Sequence, residues 1–130
     1  MIDEKIAAQL HQKLQPFGLS VTEGLKYVNG DLAQYKALSD IFREHSDESR
    51  EAITGMLEAG DFESLTYAVH SLKSKALAIG AVELSRQAAA VEEHLRRGDT
   101  VYAKVAMPLL MFTWDRVIAG LNEVVACPEF

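Results

Sequence analysis

The chain has 130 residues, of which 48% are hydrophobic and 25% charged, and its net charge is −6. That mixture excludes a disordered segment, and the length suffices to bury one ordinary core without disulfides or metals. The negative balance argues against general nucleic-acid binding, which needs clustered lysine and arginine to neutralise phosphates.

Ile2 to Leu14 reads as a modest amphipathic helix with Ile6, Leu10 and Leu14 on one face. Pro16 and Gly18 end it, and it is available to cover one end of a bundle. Asp31 is placed to cap a long helix through Leu57, with Leu32, Tyr35, Leu38 and Phe42 inward. The polar run from Ser46 to Ser49 is expected to lie inside that helix without breaking it. Gly60 stops it, and Asp61 caps the next helix, which runs to Ile79. There Phe62, Leu65, Val69, Leu72, Ala76 and Ile79 step by three and four toward a core.

Gly80 marks the following corner. The next helix carries Leu84, Ala88, Val91 and Leu95 on one face and stops at Gly98. Thr100 is expected to cap the last helix, toward Val125, with Val105, Leu109, Phe112, Ile118 and Leu121 available to the core. Pro108 is expected to bend or restart it. Short connections between long helices make neighbours antiparallel. The fold class is therefore all-α: one domain over 1–130, with an up-down four-helix bundle over 31–125. Residues 1–30 supply an additional N-terminal helix and its connection.

His70 lies off the apolar stripe, on a face shared with Thr66, Tyr67, Lys73, Ser74 and Leu77. Imidazole keeps a ring lone pair near neutral pH, and an ammonium one turn on can steady phosphoryl oxygens. None of His11, His45 and His94 combines a lysine at i+3 with a small residue at i+4. Residues equidistant from a turn at Gly80-Ala81 stand level, so the counterpart of His70 lies near Val91 or Glu92. Glu92 can accept from the ring Nδ1–H, or it can pair along its own helix with Arg96; both readings stand at this point. From His70 to Arg97 there are five basic and three acidic residues, a local balance of +2 that suits an acidic docking partner.

Other chemistries lack their spacing. No histidine follows a glutamate at i+3, as a di-iron bundle requires, and no His-Glu-x-x-His occurs. A phosphate-cradling Gly-x-x-x-x-Gly-Lys is missing, and no hydrolytic triad can be read, so no metal and no cofactor are expected. The single cysteine, Cys127, excludes an internal disulfide, fits a reducing compartment and is read as incidental. Met1 to Lys5 lacks the pattern of a signal peptide. The charge-free run from Val105 to Trp114 is too short to cross a bilayer. The expectation is a cytosolic protein with no membrane partner, monomeric by default.

The run His70-Ser-Leu-Lys-Ser, followed by Ile79-Gly80-Ala81, resembles the signature of histidine-containing phosphotransfer (HPt) domains. Gly24 to Asp31 with Tyr35 and Phe42 is similar to the family's approach to its first bundle helix. Gly60-Asp61 is similar to its turn before the histidine helix, and Val91-Glu92 to its Leu-Glu pair on the next. The resemblance spans about Gly24 to Gly98 and fades over the last helix. It implies a four-helix module carrying a phosphoryl group between receiver-domain aspartates. His70 would be the phosphoacceptor, Lys73 would stabilise the phosphoryl group, and Glu92 would orient the imidazole. The implied partners are response-regulator receiver domains and a hybrid sensor histidine kinase, with the catalytic magnesium on the partners' side.

Ser74 stands where the family most often has glycine, and Lys75 and Leu77 replace small residues. Ser74, Lys75, Leu77 and Arg96 are the expected partner-binding positions, although Leu77 could instead be covered by the N-terminal helix. The three departures also suit an alternative: a non-catalytic module that binds receivers without carrying phosphate. A third reading, the phosphoacceptor module of a larger kinase, would use the same histidine and take phosphate from ATP through a kinase domain.

Overall fold

The computed structural model describes residues 2–125, with side chains from residue 4 onward, and Cys127 lies outside that range. All the regular structure among these residues is helical: α1 (Ile2–Leu14), α2 (Val21–Leu25), α3 (Leu32–Ala59), α4 (Phe62–Ala78), α5 (Val82–Arg96) and α6 (Thr100–Val125). Single 3₁₀ turns at Gln15–Phe17 and Lys26–Val28 link the first three. Helices α3 to α6 form the bundle. Helix α4 lies between α3 and α5, and α6 closes the ring against α5 and α3, so α4 and α6 stand diagonally opposite.

Local chemistry sets the boundaries. The Asp31 carboxylate accepts from the Ala33 and Gln34 amides, and Asp61 accepts from Ser64, so both helices start where their first orphan amides find an acceptor. The cap of α6 differs from the expectation. Asp99, not Thr100, accepts from the Tyr102 amide at 3.1 Å, because its carboxylate stands three residues before an orphan donor. Helix α3 runs unbroken through Ser46, which is buried. The Ser46 hydroxyl donates to the Phe42 carbonyl at 2.6 Å and accepts from the Trp114 indole at 3.2 Å.

The core contains the expected faces of α4 and α5: Leu65, Val69, Leu72, Ala76 and Ile79, then Leu84, Ala88, Val91 and Leu95. Helix α6 corrects the sequence reading. Val105, Leu109 and Phe112 face water, whereas Leu121 is buried as expected, in a seam it shares with Ala103, Met107, Leu110, Trp114, Val117 and Val124, and Ile118 is partly buried beside it. That seam steps by four and three along the whole helix, the spacing that keeps one face on a bundle core. Trp114 lies within it at 1% exposure, packed on Phe42 at 6.2 Å between centroids, and burying it fixes the helix's rotation. Helix α6 also continues through Pro108 without restarting.

The N-terminal segment is fastened to the α4–α5 corner. The Ser20 amide donates to the Gly80 carbonyl at 2.8 Å. A Cβ on Gly80, whose φ is +78°, would stand 1.8 Å from the Ser20 carbonyl oxygen. Only glycine tolerates both that conformation and that approach. One residue earlier, the Ile79 carbonyl accepts from the Tyr35 hydroxyl at 2.8 Å. Burial pushes the Tyr35 phenol up to about 12, so it stays protonated and donates. Three segments distant in sequence thus meet at the turn that sets the register of α4 against α5.

Candidate functional site

Helices α4 and α5 are the most extensively packed pair in the bundle, and the site lies along one edge of their seam. His70 leaves α4 just beside the buried stripe, so its side chain is half exposed at 52%. Across the seam α5 presents Glu92, which is only 5% exposed. The two meet with His70 Nδ1 2.7 Å from Glu92 Oε2. The other carboxylate oxygen, Oε1, accepts from Lys73 Nζ at 2.8 Å. Arg96, one turn after Glu92, donates to Oε2 through Nη2 at 2.8 Å and Nε at 3.2 Å. Glu92 therefore meets the imidazole and pairs with Arg96 at once, from a buried position.

Burial pushes the Glu92 carboxyl up. The hydrogen bonds from Lys73, Arg96 and His70, together with the Lys73 charge, overcome that cost and hold its pKa at about 2. The carboxylate is consequently ionised and can only accept hydrogen bonds. The proton in the His70–Glu92 contact must belong to Nδ1, which in the neutral ring puts the lone pair on Nε2. No hydrogen bond to Nε2 occurs among the described residues, and half the side chain faces solvent. The arrangement is an oriented imidazole with a free ring nitrogen, beside two cations.

A further polar contact supports it. Ser85 is buried, and its hydroxyl donates to the Lys73 carbonyl at 2.9 Å, tying α5 to the α4 backbone within a turn of His70. Sequence reasoning missed Ser85. Its signal was a small polar residue seven before Glu92, on the same helical face.

The remaining expected positions are spread more widely. Ser74 is exposed, and its hydroxyl folds back toward the His70 carbonyl at 3.5 Å, the outer limit of a hydrogen bond. Leu77 is half-buried. Lys75 is exposed on the opposite side of α4, where it borders a groove of about 440 Å³ between α3 and α4. Leu38, Phe42, Leu72 and Ile79 line that groove above Trp114. His70, Lys73, Glu92 and Arg96 are thus brought together by hydrogen bonds, whereas Lys75 stands apart from them.

Among the described residues no cluster of three or more His, Cys, Asp or Glu side chains is placed to hold a metal, and no helix is long and apolar enough to cross a membrane. No curated protein and no solved structure matches the chain. A family model, that of the Hpt domain, matches residues 37–123, which takes in α4, α5 and every residue of the site. The helical bundle, the half-exposed histidine with its buried carboxylate, and this match lead to one conclusion: the chain belongs to the Hpt-domain family and has a histidine phosphotransfer role in phosphorelay signalling.

Proposed function

We propose that this protein is a cytosolic phosphorelay intermediate in which His70 accepts a phosphoryl group from the aspartyl phosphate of one receiver domain and passes it to the aspartate of another. The observation that carries the reading is the 2.7 Å contact between His70 Nδ1 and the ionised, buried Glu92, which leaves Nε2 as the nucleophile. Nε2 attacks phosphorus, the phosphorus–oxygen bond to the partner's aspartate breaks, and that carboxylate leaves with the electron pair. Nδ1 keeps its proton, and Glu92 balances the positive charge that the ring acquires. Lys73 moves from Glu92 Oε1 to the phosphoryl oxygens, while Arg96 stays on Oε2 and keeps the carboxylate ionised. A second receiver takes the phosphoryl group by the reverse displacement.

Docking is assigned to the surface around the histidine, with exposed Ser74 and Arg96 beside the ring and half-buried Leu77 at the edge, while Lys75, on the far side of α4, would meet only a partner that reaches round toward α3. Receiver domains, including that of a hybrid sensor kinase, are the partners this surface would meet. A kinase domain would not be needed for the transfer.

The test is His70→Gln. The native protein, incubated with a receiver carrying labelled aspartyl phosphate, should take up acid-labile, alkali-stable label that maps to His70. The variant should keep its helical circular dichroism and take up none. Label on the variant would overturn the assignment. A native protein that binds receivers yet never labels would be the non-catalytic module instead.

A further inference from the structure

Four large apolar side chains on α6 face water: Val101 at 67% exposure, Val105 at 74%, Leu109 at 59% and Phe112 at 59%. Their steps of four, four and three place them on one face, with exposed Pro108 among them. The stripe is about 16 Å long at the helical rise. No charge interrupts it. Lys104 stands on one flank, its ammonium 5.9 Å from the Phe62 ring centroid. Asp115, paired with Arg50, follows eleven residues later on the same flank, beyond the stripe's end.

We infer that this face of α6 is the contact through which two copies of the chain associate as an antiparallel dimer. A two-fold contact sets one patch against itself, so the patch must be self-complementary, and a charge-free apolar stripe meets that condition. An antiparallel crossing centred near Pro108 and Leu109 brings Lys104 of one copy within about a turn of Asp115 of the other, on a shared flank. A parallel two-fold crossing would instead put Lys104 and the other copy's Asp115 on opposite flanks. The stripe exposes on the order of 400 Å², the size of the largest apolar patch on many monomers. That is about half of what each side of a standard interface contributes, which points to a weak, reversible dimer. Because α6 stands diagonally across the bundle from α4, both His70 rings stay open in such a dimer. The dimer would replace the monomer expected from composition, and it does not depend on the phosphotransfer reading.

Sedimentation velocity on the full chain from about 5 to about 500 μM tests it. The native protein should shift from monomer toward twice the monomer mass across that range. Val105→Glu and Phe112→Glu place a charge at an exposed position, so both should fold normally and remain monomeric, with affinity reduced at least about tenfold. Lys104→Asp should weaken association by a smaller factor. A native protein that stays monomeric throughout, or glutamate variants that dimerise like the native chain, would overturn the inference. So would a monomeric native protein that floats with phosphatidylcholine vesicles while Val105→Glu does not, since the stripe would then serve a lipid surface.

Discussion

Glu92 reaches across the α4–α5 seam to accept the Nδ1 proton of His70 at 2.7 Å while holding Lys73 Nζ on its other oxygen at 2.8 Å. One buried carboxylate thus fixes the tautomer of the imidazole and holds a cation beside it.

Two substitutions separate its charge from its shape. In Glu92→Gln the amide oxygen can still accept from Nδ1–H, but the negative charge that supports the ring is lost. We expect the single-turnover rate of phosphate uptake from a receiver to fall about tenfold, and Glu92→Ala to lower it about a hundredfold. Receiver affinity, measured in parallel by titration, should change little for either. Uptake by Glu92→Ala at the native rate would remove Glu92 from the mechanism.

The same carboxylate makes stability depend on acid. Its pKa is lowered from 4.5 to about 2 on folding, so the unfolded chain takes up the proton first as pH drops. The stabilisation is present above about pH 4.5 and is lost as pH falls through about 2. Discounting for solvent at the mouth of the site, it amounts to on the order of 1–2 kcal/mol. Urea unfolding between about pH 5 and pH 2.5 should show the native protein losing this increment, and Glu92→Gln should show a shallower slope. Parallel slopes for the two proteins would refute the assignment.

Lys73→Ala removes the cation one turn from His70 and leaves the buried carboxylate with Arg96 and the imidazole. Transfer should slow by about ten- to a hundredfold, since a charge-assisted contact to the phosphoryl group is missing. Receiver binding should remain largely intact. A loss of binding with an unchanged transfer rate at saturation would make Lys73 a docking residue instead.

The corner at Gly80 is expected to be intolerant. Gly80→Ala would drive a methyl group into the Ser20 carbonyl at a left-handed φ, and the loss should reach about 3 kcal/mol, with the melting temperature down by on the order of 10 °C. Tyr35→Phe removes the bond to the Ile79 carbonyl without adding a clash and should cost about 1–2 kcal/mol. Thermal unfolding followed by circular dichroism would rank them. Equal, small losses would mean that the N-terminal segment is not clamped on this turn.

The order of the helices, the caps at Asp31 and Asp61, and the buried faces of α4 and α5 were legible from residue spacing. Each depends on neighbours within a turn or two, where 3.6-residue periodicity and orphan amides act directly. The level pairing of His70 with Glu92 was also within reach, because counting outward from Gly80 needs only a tight antiparallel turn. What spacing could not choose was the inward face of α6, where apolar residues occur on both sides from Val101 to Phe112. That choice depends on Trp114, which packs on Phe42 and donates to Ser46, sixty-eight positions away in sequence. The roles of Ser85 and Gly80 are equally invisible locally, since their partners are a carbonyl on α4 and a carbonyl before α2. Sequence by itself determined the helices and the family signature around His70; the tertiary structure decided which faces meet, because a helix with two apolar sides is rotated by its partners and not by its own pattern.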